Sequence, residues 1–139
     1  MLSVDTRELL RAALARMPSP VRRVCVAGPG GGEGSSEGVH LACDMASLSD
    51  RITVDELDLE RDRDAAAAYR LGRAPTIAVV GDRDRGLRFT GVPGGYEIMA
   101  LADAVLLASA GDSGLSAASR ARLAAVKTPL DILVFVTPT

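Results

Sequence analysis

The sequence predicts an α/β fold: a mixed four-stranded sheet with helices on both faces, plus an extra helix and strand at the C-terminal end. Three observations carry this. Short apolar segments alternate with stretches of helical periodicity, the pattern of parallel strands joined through helices. Two of the strands are separated only by the charged turn Gly81-Asp82-Arg83-Asp84-Arg85, which makes that pair antiparallel. A proline stands at a strand entrance in Arg73-Ala74-Pro75-Thr76, and glycine and proline turn a strand into a helix in Phe89-Thr90-Gly91-Val92-Pro93-Gly94-Gly95-Tyr96-Glu97.

The elements follow in order. Leu10, Ala13, Leu14 and Met17 fall on one helix face, Asp5 and Glu8 read as its capping box, and Pro18 ends it. Val21 to Val26 is a short β-branched run that predicts a buried strand containing Cys25. Gly28-Pro29-Gly30-Gly31-Gly32-Glu33-Gly34-Ser35-Ser36 predicts irregular chain, because glycine loses the most entropy on ordering. A second helix is expected from near Ser36, with Leu41, Met45 and Leu48 on its core stripe, continued at Ile52. Ile52 to Leu59 predicts a strand whose imperfect alternation calls for a bulge or a partly exposed edge. Asp62 to Leu71 predicts a helix closed by Gly72. Thr76 to Val80 and Gly86 to Thr90 are the hairpin strands. Gly95 to Ala110 is the longest helix, with Ile98, Leu101, Ala102 and Val105 buried and Gly111 closing it. Ser116 caps a helix running through Val126, and Leu130 to Val136 predicts a final apolar strand.

A chain of 139 residues fits one domain. Its 47% hydrophobic content supports a core, which Ala, Val and Leu must fill because aromatics are only 3% and Trp is absent. A net charge of −2 gives no electrostatic reason to expect nucleic acid or an anionic membrane. No apolar run reaches the roughly 18 residues of a membrane span. The N-terminus lacks the basic-then-apolar order of a secretory signal. Two cysteines are too few for a disulfide scaffold, so a cytoplasmic, reducing location is expected.

The element order, with Ala74-Pro75-Thr76 before the third strand, resembles the thioredoxin fold. The run Gly86-Leu87-Arg88-Phe89-Thr90-Gly91-Val92-Pro93-Gly94-Gly95-Tyr96-Glu97 resembles the strand-and-turn segment of the two-unit, glutaredoxin-like protein disulfide oxidoreductases. It is also similar to the N-terminal domain of the alkyl hydroperoxide reductase flavoprotein subunit. Ser113-Gly114-Leu115-Ser116 and Leu133-Val134-Phe135-Val136-Thr137-Pro138-Thr139 continue the pattern. The resemblance implies that residues 1–112 are a first thioredoxin-fold unit. Residues 113–139 then resemble the connection to a second unit and its opening strand, after which a redox Cys-x-x-Cys follows in those families. It also implies a role in cell redox homeostasis, a cis bond before Pro75, and pairing of a peptide or disulfide partner with the backbone of Ala74, within the partner-binding set Ala74, Pro75 and Thr76.

Disulfide exchange needs an exposed, low-pKa thiolate with a resolving thiol beside it. The fold supplies that place where the helix after the first strand begins. Here the corresponding residues, Gly32, Glu33, Gly34 and Ser35, contain no cysteine, and a serine hydroxyl has no thiolate-like redox chemistry. The unit is therefore expected not to be catalytic and to serve as a structural or docking unit. Two rival readings stand beside it. The chain can be part of an active disulfide oxidoreductase whose Cys-x-x-Cys lies beyond residue 139, or a monothiol sensor using Cys43. Cys43 falls within the helix, past the first turn where the dipole acts, and so reads first as a small core or half-exposed residue.

Cys25 reads as a buried strand residue, and a Cys25–Cys43 bridge is not expected. The glycine-rich loop has neither a Lys-Ser or Lys-Thr ending nor a G-x-G-x-x-G fingerprint, so no phosphate or other cofactor is expected. His40 is the only histidine, and no metal site is expected around it. Tyr96 and Glu97 are expected to anchor the start of the helix after the glycine turn. The expected partners are a redox protein, a following thioredoxin-fold unit, or a second copy joined through the apolar strand Leu130 to Val136, which would need an edge to pair with.

Overall fold

The computed structural model describes residues 2–27 and 33–136, with side chains described at 2–22 and 37–136. In chain order the elements are α1 (Val4–Leu14), β1 (Val21–Ala27), α2 (Glu33–Ala46), β2 (Ile52–Asp58), α3 (Arg63–Ala68), β3 (Thr76–Val80), β4 (Asp84–Thr90), α4 (Glu97–Ala110) and α5 (Ala117–Ala124). The sheet order is β2-β1-β3-β4. β1 and β2 are parallel and joined through α2, while β1 and β3, and β3 and β4, are antiparallel. This is the mixed sheet the sequence predicts.

Side chains of β3 divide the interior in two, because successive strand residues face opposite ways. Ile77 and Val79 meet the larger cluster, built from Leu10 and Leu14 of α1, Ala42 and Met45 of α2, and Leu101, Ala102 and Val105 of α4. Ala78 and Val80 face the other way and are covered by Ala66 and Leu71 at α3. Helices thus lie on both faces, three on one and one on the other.

Several local expectations are corrected. The cap of α1 is Ser3, whose hydroxyl accepts the Thr6 N–H at 3.2 Å, and the helix starts before Asp5. α2 begins at Glu33 rather than near Ser36, so part of the expected glycine loop is helical; Gly28 to Gly32 lie outside the described residues. For β2 the second of the two expected alternatives holds: it runs in unbroken register with β1 as a partly exposed edge, without a bulge. The register shift lies instead between Val79 and Val80 in the hairpin. β4 starts at Asp84, not Gly86.

α3 stops at Ala68, and Gly72 does not close it. The left-handed residue is Arg70 (φ 53°). The Arg70 N–H reaches the Ala67 carbonyl and the Leu71 N–H the Ala66 carbonyl, both at 2.9 Å, a Schellman closure completed by the Leu71–Ala66 apolar contact. α5 is shorter than expected, ending at Ala124. Leu130 to Val136 is not a strand: it pairs with neither sheet edge and its residues are exposed. Strand pairing needs an edge within reach, and no residue of the preceding α5 is buried against the body to bring the segment to one.

Candidate partner-docking site

The site is built where three pieces of chain meet at the entrance of β3. The Ala74–Pro75 peptide bond is cis. Ala74 and Pro75 are half-buried and Thr76 is buried. From one side the second turn of α2 closes on this loop. Gly38 is buried, and a Cβ placed on it would stand 3.4 Å from the Pro75 Cβ and 3.9 Å from a methyl of Val92. These are ordinary van der Waals distances, so helix and loop lie packed side by side at this point.

From the other side comes the segment after β4. The Gly91 N–H donates to the Pro75 carbonyl at 2.9 Å, and the hydroxyls of Thr76 and Thr90 lie 3.3 Å apart across the paired strands. Pro93 is buried, and the Glu97 carboxylate accepts the Gly94 N–H at 3.2 Å, which ties the turn to the start of α4. Glu97 anchors this helix start; Tyr96 does not, being 85% exposed. The Pro75 carbonyl is thus occupied, whereas among the described residues nothing hydrogen-bonds to the N–H or C=O of Ala74. That backbone unit stands beside a sheet end with a donor and an acceptor to offer.

Other predicted residues fall as follows. Glu33, Gly34 and Ser35 form the first turn of α2, on the helix that carries Gly38, and Gly32 lies outside the described residues. Cys43 is an exposed free thiol further along the same helix, so it forms no bridge to Cys25. Cys25 is placed on β1, in register with Glu56 of β2 and Ile77 of β3. His40 is exposed, and no group of three His, Cys, Asp or Glu able to hold a metal occurs among the described residues. No described helix is long and apolar enough to cross a membrane.

Sequence reasoning missed a polar network on the α3 face. The Arg88 guanidinium donates to the Tyr69 carbonyl at 2.7 and 3.1 Å and to the Asp84 carboxylate at 2.5 and 2.9 Å. Arg22 lies over the Tyr69 ring, 5.4 Å from its centre, contacts its hydroxyl, and pairs with Asp55 at 3.3 Å. The hydrogen bond from Arg88 holds the Asp84 carboxyl below its ordinary pKa of 3.8, against the opposing effect of burial. A carboxylate depressed on folding stabilises the fold above its unfolded pKa, and that contribution disappears as pH falls through the folded value. Arg88→Ala is therefore expected to cost about 2 kcal/mol at pH 7. The gap to the unaltered chain should begin to narrow below about pH 4 and shrink further as pH falls through the depressed Asp84 value, leaving only the carbonyl bonds to separate the two. Urea unfolding at pH 7 and pH 3 checks this; a gap that does not shrink at the lower pH would exclude the Asp84 contribution.

A central β1 between a parallel and an antiparallel neighbour, a proline loop entering β3, and α2 closing over that loop define a thioredoxin fold, and the chain is a thioredoxin-fold protein. It is similar to the crystal structure of a protein disulfide oxidoreductase from Aeropyrum pernix, with 29% identity and a TM-score of 0.80 over 91% of this chain and 56% of that one. It is similar in fold to an alkylhydroperoxide reductase, AhpF, from Enterococcus faecalis (21% identity, TM-score 0.79, 89% of this chain and 60% of that one). Fasciola hepatica thioredoxin matches at 17% identity and a TM-score of 0.50, over 69% of this chain and 88% of that one. The chain therefore spans less than two thirds of the first two proteins. No family model matches it, and no curated protein matches it in sequence.

Proposed function

We propose that this chain is a non-catalytic thioredoxin-fold unit of the disulfide oxidoreductase type, which docks an extended peptide or disulfide partner at Ala74-Pro75-Thr76 within a reducing, cytoplasmic redox system. The observation that carries the reading is the Ala74 backbone, half-buried and without a hydrogen-bond partner among the described residues, next to a Pro75 carbonyl that is occupied. An extended segment laid along it would pair in the manner of an added strand. The chemistry usual at such a place is missing, since residues 28–38 contain no cysteine and the thiol of Cys43 lies further along α2.

In an insulin-reduction assay with dithiothreitol, the 139-residue chain is expected to give no acceleration over dithiothreitol alone. Turnover that depends on the chain would overturn the non-catalytic reading.

A second reading is favoured by the extent of the structural match. The chain spans 56% of the Aeropyrum pernix protein disulfide oxidoreductase. We propose on this ground that residues 113–139 lead into a further thioredoxin-fold unit whose dithiol lies beyond residue 139. The intact mass of the protein from its native cells separates the readings: a mass of 14.4 kDa excludes the second, and a substantially larger one supports it.

A further inference from the structure

Residues 112–136 form an arm. All are exposed except Ser119, which is half-buried, and α5 buries none of its residues. Its root is nevertheless well defined. The Asp112 carboxylate accepts the Gly114 N–H at 3.0 Å and pairs with Arg120 at 2.6 Å, Arg120 also donates to the Leu115 carbonyl at 2.8 Å, and Ser116 caps α5. The arm thus has a direction set by its own hydrogen bonds and almost no cover. Along it, Leu123, Leu130, Ile132, Leu133, Val134 and Phe135 are 56–90% exposed. Together they present on the order of 800 Å² of surface, comparable to the roughly 800 Å² per partner of a standard stable interface.

We propose that two copies of this chain exchange arms, the 130–136 segment of each adding as a strand to the outer edge of β2 in the other. The edge is chosen by its geometry. β2 runs in unbroken register, without glycine or proline, and its outer edge is open from Thr53 to Leu57, while the Asp58 N–H is held by Asp62 and the Ile52 N–H by the Ser49 carbonyl. The opposite edge, β4, carries left-handed Gly86 and a register shift at its hairpin end, features that turn an edge away from straight pairing. Charge does not enter the choice: the segment 130–136 carries one charge, Asp131, and Asp55 and Asp58 of β2 are paired with Arg22 and Arg61. Each copy holds both the donor strand and the receiving edge, so a two-fold exchange satisfies both and closes on itself. This inference does not depend on the docking reading, and the insulin assay leaves it untouched; it competes with the second reading, in which a further unit takes up the same segment, and the intact mass separates the two.

The experiment is sedimentation equilibrium of the full chain under a phosphine reductant that keeps both cysteines reduced, over about 1 to 300 µM. A species of twice 14.4 kDa is expected, with a micromolar dissociation constant. Val134→Pro, which removes a donor from the added strand, is expected to raise that constant at least about 30-fold. Phe135→Asp, which replaces the most exposed apolar side chain of the arm by a carboxylate, is expected to raise it several-fold. Neither position is buried, so the thermal transition at low protein concentration should stay where it is. A monomer throughout the range, an open series of higher oligomers, or a dimer indifferent to either substitution overturns the proposal.

Discussion

Gly81→Ala is expected to destabilise the fold by about 3 kcal/mol, one of the two largest effects of a single substitution in this chain. Gly81 follows β3 directly, and a Cβ placed on it would lie 2.3 Å from the Ala108 carbonyl oxygen of α4. The obstacle is backbone, not the end of a flexible side chain, so the hairpin or α4 must move. Either shift disturbs the larger core cluster, because Val79 and Ala108 both belong to it. For a domain of this size the loss corresponds to roughly 10 °C in the thermal midpoint. Thermal or urea unfolding checks it; a change below about 1 kcal/mol would mean that α4 yields where the structure holds it tight.

Leu101→Ala is expected to cost about 3 to 4 kcal/mol. Leu101 is fully buried near the start of α4, in the cluster that joins α1 and α2 to the sheet face of Ile77 and Val79. Its removal leaves a cavity where three helices converge, and none of them can close it without losing contacts elsewhere. The effect should extend to the docking site, because Glu97 and the Gly94 turn are fixed to the same end of α4. Urea unfolding gives the stability term; a cost under about 1 kcal/mol would show that the core refills the space.

Most of the fold was legible where the signal is local. β3 has the predicted bounds because Pro75 marks its entrance and its residues are uniformly apolar and buried. Ser116 caps α5 as its position before a helical run predicts, and Gly111 closes α4 in the left-handed conformation that glycine adopts without a side-chain clash. The misses came where two local solutions competed. Ser3 and Asp5 are both acceptable caps, and the helix took the earlier one. Gly72 is the better left-handed residue in isolation, but closure at Arg70 places Leu71 against Ala66 and gains a buried contact that a later closure would forgo.

The site was legible only in part. Ala74-Pro75-Thr76 stands out because a proline at a strand entrance is a local pattern. The approach of Gly38 to Pro75 is a tertiary contact between residues far apart in sequence, with no local trace beyond an ordinary helical glycine. Arg88 was equally silent, since its partners include a backbone carbonyl 19 residues away, and any residue type supplies a carbonyl. The C-terminal segment failed for a different reason. Its composition favours a strand, but a strand is a relation between two segments and composition describes one.

The unequal covering of the two sheet faces has a consequence for how the molecule breathes. One face is sealed by three helices over the larger cluster, the other by a six-residue helix over four buried side chains. A transient lifting of α3 exposes little apolar surface, so it costs far less than global unfolding, and it leaves the hydrogen bond from Gly91 to Pro75 in place. Amide protons near α3 are therefore expected to exchange through brief local openings, while the paired amides within β3 and the Gly91 N–H wait for the whole domain to come apart.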